Sequence, residues 1–501
     1  MADLVIGSGP AGIAAAMALR ARGREVVILD GGRRLDPEAE ARRAGMAAAD
    51  PQDWGAGDVA AWQEGQFAAP AGSVRRFGSG HAMERAEATF AADGGLALRA
   101  SRAVGGFSNY WGSAVLPYRE SDLRDWPVSA ADLAPHYAAV ARFMPVSGRE
   151  DVLADLFPVL DMRGRSAIAP GPQAEAILSR RHGAPGVALG LARQAVAPGC
   201  RLCGQCLHGC PWRLIYNTTA TLDDLLRGDG VRHLPGRVVR AFEPMATGVR
   251  LVLADGSSVE GDRVFLAAGV LESARILLAS LPLGSLRLAD SQHGFLPMIQ
   301  AARPRRRPDR PPLHTLPQLF AEIDDPSVSP WLVHAQIYGW NEYYARDLVA
   351  NYGRLAPARP LLRALSRRLV VAQIFLHSAH SAAAELRLAA DGRLIASLAT
   401  EAETGRVLDR AARLLGRALR PAGVHALRMA MRPGAPGSSF HAGATLPMSA
   451  DPAGAQSDTL GRPAGIERLH VVDASVLPAI PATTITFSVM ANAHRIASLA
   501  P

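Results

Sequence analysis

The chain contains no lysine, because all 54 of its basic residues are arginine, against 46 acidic residues. This absence excludes Schiff-base chemistry on a lysine and a lysine-containing P-loop for phosphates. The net charge of +8 could attract nucleic acid, but arginine-only usage is typical of a GC-rich genome. The densest basic run, at residues 303–310, is interrupted by prolines. We therefore expect a solvated loop at this run and no nucleic-acid partner.

The chain also lacks a run of about 20 apolar residues, so we expect no membrane span. The first apolar strand is predicted to begin at Asp3, which leaves no room for a signal peptide. We therefore expect a cytoplasmic protein. Hydrophobic residues make up 49% of the 501 residues, which is enough for a large core shared by two or more lobes.

Cysteine occurs only four times, and all four residues fall within positions 200–210. Two residues separate Cys200 from Cys203, two separate Cys203 from Cys206, and three separate Cys206 from Cys210, which precedes Pro211. This is the spacing of the iron–sulfur run of bacterial ferredoxins, and it predicts that the four thiolates hold an iron–sulfur cluster. A four-cysteine zinc site usually has a longer loop between its two pairs, and disulfides suit small secreted chains.

Two forms of the cluster remain open on the sequence. A 4Fe–4S cluster is favoured, and it requires Cys210 to fold back onto the same cluster as the other three cysteines. In two-cluster ferredoxins the fourth cysteine of the run ligates the other cluster, but this chain has no remote cysteine to replace it. A 3Fe–4S cluster on three cysteines is therefore the second form.

The amino terminus has the pattern of a dinucleotide-binding unit. A short apolar strand at residues 3–6 is followed by Gly7, Gly9 and Gly12 in a G-x-G-x-x-G turn, and then by an alanine-rich helix. The first glycine permits the tight turn, the second lets a pyrophosphate approach the backbone, and the third lets the helix pack on the strand. Asp30 ends the next strand, where a ribose hydroxyl is expected. These residues predict a bound dinucleotide without distinguishing FAD from NAD.

Two segments near the carboxyl terminus make that distinction. The first is S-S-F-H-A-G-A-T at residues 438–445, and the second is L-H-V-V-D-A-S-V-L-P at residues 469–478. Both resemble the end of the glucose/methanol/choline (GMC) oxidoreductase family. The resemblance implies that FAD is the cofactor, that His441 is the catalytic base beside the flavin, and that Asp473 contacts the flavin.

Two further segments resemble flavin-binding parts of the same family. The run G-G-F-S-N-Y-W-G at residues 105–112 looks like its glycine-rich flavin loop, and V-F-L-A-A-G at residues 264–269 looks like its second strand and turn. The remaining FAD contacts implied by the resemblance are Gly106, Ser108, Asn109, Tyr110, Ala268, Gly269, Ala474 and Thr486. Some relatives attach FAD through a histidine where this chain has Tyr110, so we expect non-covalent FAD.

The resemblance has two departures that affect the chemistry. Thr484 stands near the place where the family has a second catalytic histidine or asparagine. A threonine hydroxyl can hydrogen-bond a substrate oxygen but cannot act as a base at neutral pH, so His441 would work largely alone. Many relatives also carry a pattern that matches only Cys206 and Cys210 without a cluster, so the additional Cys200 and Cys203 are the argument for iron.

The resemblance implies an α/β fold, with a Rossmann-type FAD-binding domain and a second, sheet-based substrate domain. We assign residues 1–285 and 436–501 to a discontinuous FAD-binding domain that includes the iron–sulfur segment at 200–211, and residues 286–435 to the substrate domain. Alternating apolar and polar residues around 331–340 and 369–377 predict strands of a sheet that covers the flavin.

The function implied by these parts is FAD-dependent dehydrogenation of an alcohol group of a sugar, cyclitol or polyol-like substrate. Neutral His441 would take the hydroxyl proton while the hydride passes to FAD, and the cluster would pass single electrons to an acceptor protein or a quinone. The enzyme alternatives are a redox-neutral, epimerase-like reaction and an oxidase of the same family. The alternative of a different class is a non-catalytic electron-transfer subunit.

Overall fold

The computed structural model describes residues 1–67, 90–92, 95–180, 182–352, 357, 359–400 and 403–501. Within these residues the chain forms strands β1 to β20 and helices α1 to α12, numbered in chain order. The helices are α1 (Pro10–Ala21), α2 (Pro37–Ala48), α3 (Ala56–Phe67), α4 (Ala130–Phe143), α5 (Leu153–Leu156), α6 (Pro172–Leu178), α7 (Thr218–Arg227), α8 (Val270–Ser280), α9 (Glu342–Tyr352), α10 (Arg359–Ser366), α11 (Thr404–Leu419) and α12 (Ile485–Leu499). None of the helices in these ranges is both long and apolar enough to cross a bilayer.

A parallel sheet of five strands carries the amino-terminal turn. Its order is β20 (Leu469–Val471), β9 (Val264–Leu266), β1 (Asp3–Ile6), β2 (Val26–Asp30) and β5 (Val231–Pro235). The strands β1, β2, β9 and β20 are buried at every residue, as expected for short apolar strands with helices on both faces. Helix α12 packs against α1 and α4. The predicted α/β fold with a Rossmann-type unit is confirmed.

Two further sheets have three and five strands. An antiparallel meander has the order β6 (Val239–Met245), β7 (Gly248–Leu253) and β8 (Ser258–Gly261). A mixed sheet has the order β19 (Ala442–Gly443), β10 (Leu286–Asp290), β15 (Ala383–Leu388), β16 (Leu394–Thr400) and β3 (Phe90–Ala92). The mixed sheet joins the segment that contains His441 to strands of the predicted substrate domain.

The largest sheet is antiparallel and has seven strands. Its order is β17 (Val424–Ala426), β11 (His293–Gln300), β14 (Leu369–Phe375), β13 (Val333–Tyr338), β12 (Leu319–Ile323) and β4 (Val187–Leu191), and β18 (Arg432–Pro433) pairs with β11. The strands predicted around residues 331–340 and 369–377 are therefore confirmed as β13 and β14. Strand β4 lies before residue 285, so this sheet contains strands from both predicted domains. The domain division stays a prediction.

The two faces of the large sheet differ in composition because side chains alternate along each strand. Val333, Ala335 and Ile337 of β13 lie in an apolar core with the buried face of α11. The buried residues of α11 recur every three or four positions, which is the pattern of an amphipathic helix. His334 and Gln336 of β13 must therefore lie on the opposite face, which has buried polar side chains.

Candidate functional site

A cleft lies at the carboxyl ends of β1, β2 and β9, where open parallel sheets bind their ligands. We call it the nucleotide cleft. Nine of the thirteen predicted FAD contacts line it: Gly7, Gly9, Asp30, Gly106, Ala268, Gly269, Asp473, Ala474 and Thr486. The cleft therefore gathers residues from four distant segments of the chain. Their role as FAD contacts stays a prediction.

The three glycines of the turn differ in the space that a Cβ atom would find at each position. A Cβ atom on Gly7 would lie 2.2 Å from the carbonyl oxygen of Ala267, and the φ of Gly7 is +104°. A Cβ atom on Gly12 would lie 1.9 Å from the carbonyl oxygen of Gly7. Around Gly9, by contrast, the nearest atoms would be 3.9 Å away, so this backbone faces open space inside the cleft. Helix α1 begins directly after it and directs its first N–H groups there.

Asp30 lies at the end of β2, and it is buried. Its carboxylate accepts hydrogen bonds from the Ser8 hydroxyl and from the Gly32 N–H at 2.8 Å. A carboxylate can accept about four hydrogen bonds, so Asp30 retains capacity for a ribose hydroxyl. Ser8 also accepts a hydrogen bond from the Gly105 N–H at 2.9 Å. The sequence reasoning missed Ser8, which connects the glycine turn to the predicted flavin loop.

The other four predicted contacts lie outside the lining of the cleft and brace it. Gly12 is the packing position described above. Ser108 donates to the carbonyl of Gly105 at 2.6 Å, and Asn109 donates to the carbonyl of Gly106 at 2.9 Å. The predicted flavin loop is therefore held in place by these side chains.

Two more observations concern the same loop. Asn217, the N-cap of α7, donates to the side-chain oxygen of Asn109 at 2.5 Å. Tyr110 is buried, and it packs against Ala103 and Phe440. The sequence reasoning missed Asn217, although the pattern N-T-T before a helix is a signal for an N-cap.

Asp473 holds the opposite wall of the cleft. Its carboxylate accepts hydrogen bonds from the Ser273 hydroxyl at 2.5 Å, the Gly269 N–H at 3.0 Å and the Ser475 N–H at 3.0 Å. Burial raises the pKa of Asp473, while these hydrogen bonds to the carboxylate lower it. The side chain ties the end of β20 to the turn before α8, so its first role is to shape the cleft.

The residues of the nucleotide cleft fit FAD. The open space at Gly9 would admit a pyrophosphate, and the amino end of α1 would stabilise its negative charge. Arg102 also lines the cleft, and its buried Nε atom has no hydrogen-bond partner. An unpaired buried donor costs about 1–3 kcal/mol, so an acceptor on a bound ligand would relieve that cost.

His441 lies between the nucleotide cleft and the large antiparallel sheet. Its neighbours Phe440 and Ala442 line the cleft. The ring of His441 instead stacks on Phe375 of β14, with 4.8 Å between the ring centroids. Burial is the main cause that lowers the pKa of His441 to about 3, and repulsion from His334 and His293 adds to it. The imidazole is therefore neutral at physiological pH, and its Nδ1 atom has no hydrogen-bond partner.

The loop that carries His441 is anchored to β10. Asp290 accepts hydrogen bonds from the Gly437 N–H at 2.7 Å and from the Ser439 hydroxyl. Ser439 in turn accepts a hydrogen bond from the His441 N–H at 2.9 Å. The position of the predicted base thus depends on Asp290, which the sequence reasoning missed.

Thr484, the other predicted catalytic residue, is the N-cap of α12 and is buried. Its hydroxyl oxygen accepts a hydrogen bond from the Leu116 N–H at 2.8 Å. This contact leaves the hydroxyl hydrogen as a donor for a substrate oxygen. The neighbouring Thr483 is also buried, and its hydroxyl has no partner. The catalytic roles of His441 and Thr484 stay predictions.

The cysteine loop, which we define as residues 200–210, contains all four cysteines of the chain. Cys206 is buried, whereas the other three cysteines are partly exposed. The sulfur atoms of three cysteines accept hydrogen bonds from backbone N–H groups: Leu202 donates to Cys200, Gln205 to Cys203 and Thr315 to Cys206. Burial, followed by repulsion between the thiols, raises the pKa of Cys203 to about 11 and also raises that of Cys206.

The side chains of this loop do not form a closed ligand set. Among the residues that the structure describes, no group of three or more histidine, cysteine, aspartate or glutamate side chains is arranged to hold a metal ion. The predicted ligands Cys200, Cys203, Cys206 and Cys210 are therefore not confirmed. The iron–sulfur cluster stays a prediction.

Comparisons with known proteins agree with the nucleotide cleft. Residues 377–493 match the family described as "GMC oxidoreductase", and residues 3–101 match the family described as "FAD binding domain". No curated protein matches the chain significantly. A solved structure, pyridoxine 4-oxidase from Mesorbium loti, has a similar fold, with a TM-score of 0.57 and 18% sequence identity over 99% of this chain and 98% of that one. The carboxyl-terminal segment of the chain is therefore similar to GMC oxidoreductases, and its amino-terminal segment is similar to FAD-binding domains.

Proposed function

We propose that the chain is a FAD-dependent dehydrogenase that oxidises an alcohol group of a sugar, cyclitol or polyol-like substrate. The main observation that supports this proposal is the position of His441 in the structure. The residue lies between the nucleotide cleft and the polar face of the large sheet, and its ring is neutral at physiological pH. A neutral imidazole beside the cofactor site is the group that this reaction needs as a base.

Three residues of the chain would have separate roles in the oxidation of the alcohol. His441 takes the hydroxyl proton of the alcohol at its unprotonated ring nitrogen. The Thr484 hydroxyl, which already accepts from Leu116, donates to the substrate oxygen. Asp290 keeps the His441 loop in position through Gly437 and Ser439. When bound, FAD supplies a two-electron acceptor for the carbinol hydride.

We also propose that the cysteine loop holds an iron–sulfur cluster, 4Fe–4S or 3Fe–4S, that passes electrons to an external acceptor. The spacing of the four cysteines and the three N–H to sulfur hydrogen bonds support this proposal. The thiols would have to converge and lose their protons when the metal binds. A cluster would supply one-electron transfer to an acceptor protein or a quinone.

The first test is anaerobic reduction of the flavin by a panel of polyols, followed by absorbance. Replacement of the base, His441→Asn, is expected to slow this reduction by roughly 10² to 10⁴-fold while the flavin content is kept. The matched control is His425→Asn, because His425 is exposed on β17 of the same large sheet. Equal rates in His441→Asn and the wild type would refute the role of His441. A wild-type flavin that no alcohol reduces would point to a non-catalytic subunit.

An oxidase is the second candidate, because the structural neighbour is named as one. After anaerobic reduction, the flavin is exposed either to oxygen or to a one-electron acceptor. Rapid reoxidation by oxygen with formation of hydrogen peroxide would favour the oxidase. Slow reaction with oxygen and fast reaction with the one-electron acceptor would favour the dehydrogenase.

A further inference from the structure

A row of side chains crosses the polar face of the large sheet. The strand register pairs Glu322 of β12 with His334 of β13, His334 with Phe375 of β14, and Phe375 with His293 of β11. Directly paired residues share one face of a sheet, and this face is the one opposite the α11 core. The row therefore points toward His441, whose ring stacks on Phe375.

Glu322 and His334 form a pair that is removed from water. The Nδ1 atom of His334 is 2.7 Å from Oε1 of Glu322, and both side chains have 0% exposure. The remaining polar atoms, Nε2 of His334 and Oε2 of Glu322, have no hydrogen-bond partner. Buried polar atoms are seldom left unpaired, because each one costs about 1–3 kcal/mol. Each residue of the pair therefore retains one polar atom that can form a further hydrogen bond.

Two routes of contact place this pair beside the predicted reaction centre. On one side, Phe375 lies 6.1 Å from His334 and 4.8 Å from His441, measured between ring centroids. On the other side, His334 packs edge-on against Phe320, which shares an apolar cluster with Leu116. Leu116 is the residue whose N–H is bonded to Thr484. Packing contacts therefore connect His334 to both of the residues proposed to handle the alcohol.

The carboxylate of Glu322 fixes the orientation of the His334 ring. A carboxylate is an acceptor only, so Nδ1 of His334 carries a hydrogen and donates it to Glu322. Nε2 is then the ring atom that is left to pair with a ligand. A hydroxyl group can donate to this nitrogen or accept from it, and the proposed substrate class carries several hydroxyl groups.

We propose that His334, held by Glu322, is a substrate-binding residue whose Nε2 atom forms a hydrogen bond with a second hydroxyl of the substrate. This inference rests on the proposed function, and it specifies that the substrate is a diol or polyol in preference to a simple alcohol. The second hydroxyl differs from the one that loses its proton to His441. The residue fixes the orientation of the substrate and thereby selects which carbinol is oxidised.

The test compares two alcohols that differ by one hydroxyl, trans-cyclohexane-1,2-diol and cyclohexanol, in anaerobic flavin reduction with the holoenzyme. The wild type is expected to prefer the diol by roughly 10-fold to 100-fold in kcat/KM. The variant His334→Asn should lose most of this preference through a higher KM for the diol, and its loss with cyclohexanol should be smaller, because cyclohexanol lacks the second hydroxyl.

Two further variants separate this role from a merely structural one. Glu322→Gln keeps an oxygen that can accept from Nδ1, so it should lose less of the preference than His334→Asn. The exposed His425→Asn should lose none. Equal loss with both alcohols in His334→Asn, or no loss with either, would overturn the inference alone. A wild-type flavin reduced by neither alcohol would overturn the proposed function, and this inference with it.

Discussion

The nucleotide cleft is built mainly from backbone, whereas the cysteine loop depends on side chains. In the cleft, Gly7 and Gly12 pack against main-chain oxygen atoms, and Gly9 leaves an open backbone next to the first N–H groups of α1. These features arise from the packing of a strand, a turn and a helix. The shape of the cleft around the glycine turn is therefore set by main-chain packing.

In the cysteine loop, by contrast, the four thiols that we propose as ligands are not arranged to hold a metal ion in the part of the chain that the structure describes. The thiols of Cys203 and Cys206 are desolvated, and each would be repelled by the charges of the other cysteines. Four like charges come together only when a metal compensates them. The comparison teaches that a site made of main-chain groups forms with the fold, whereas a site made of like-charged ligands would need a compensating ion to form.

The largest effect is expected from a substitution in the glycine turn of the nucleotide cleft. Gly12→Ala would place a Cβ atom 1.9 Å from the oxygen of Gly7, so the turn and α1 must separate. We expect loss of FAD and a fall in the free energy of unfolding of more than about 3 kcal/mol. Flavin absorbance and thermal unfolding measure both effects.

The matched control for this change is Gly45→Ala in α2. A Cβ atom there meets nothing within 4 Å, so alanine should leave FAD bound and raise stability by up to about 1 kcal/mol. If Gly12→Ala retained flavin and melted like Gly45→Ala, the cleft would not depend on its backbone packing.

The parts of the site that could be predicted are those encoded by local spacing. The glycine turn and Asp30 lie within one strand–helix–strand unit, so the sequence alone defines their places. His441 was found by resemblance, and its setting between the cleft and the sheet required the structure. The fold class was predictable for the same reason as the turn.

The parts that could not be predicted depend on contacts between distant segments. Glu322 and His334 are a cross-strand pair, which the register of β12 and β13 places opposite each other. The Thr484 hydroxyl meets Leu116 across 368 positions of sequence. No local pattern reports such contacts, so the His334 pair and the brace on Thr484 emerge only from the packed structure.

An intermediate effect is expected in the cysteine loop. Cys206→Ser removes a ligand of either cluster form, so iron content should fall by at least about 10-fold while flavin content is unchanged. Flavin reduction by alcohol should persist, and turnover with a one-electron acceptor should be lost. Metal analysis, low-temperature EPR and steady-state kinetics measure these quantities.

The companion variant Cys210→Ser separates the two cluster forms. It should lose iron if a 4Fe–4S cluster uses all four cysteines, and it should keep iron if a 3Fe–4S cluster uses three. Wild-type protein that contains zinc or no metal would contradict the cluster. Loss of flavin together with iron would contradict the independence of the two sites.

The smallest effect is expected for Asp290, the side chain that anchors the His441 loop beside the nucleotide cleft. Burial raises the pKa of Asp290 to about 6, although its hydrogen bonds with Ser439 and Gly437 lower it. An unfolded aspartate has a pKa near 4, so between about pH 4 and pH 6 the folded protein holds a proton that the unfolded chain releases. Stability should therefore fall by about 3 kcal/mol as the pH rises through this window, and the contribution should be constant above it.

The variant Asp290→Asn removes this titration, because an amide does not ionise in the window. The difference in stability between the variant and the wild type should shift in favour of the variant as the pH rises from 4 to 6.5, as measured by denaturant midpoints. Asp451→Asn, at an exposed aspartate, is the matched control and should show no such shift. A pH-independent difference for Asp290→Asn would mean that the carboxylate is already ionised throughout. The His441 loop would then be held by an ionised carboxylate. This part of the site would depend on a charged side chain, as the cysteine loop does, and not on main-chain packing alone.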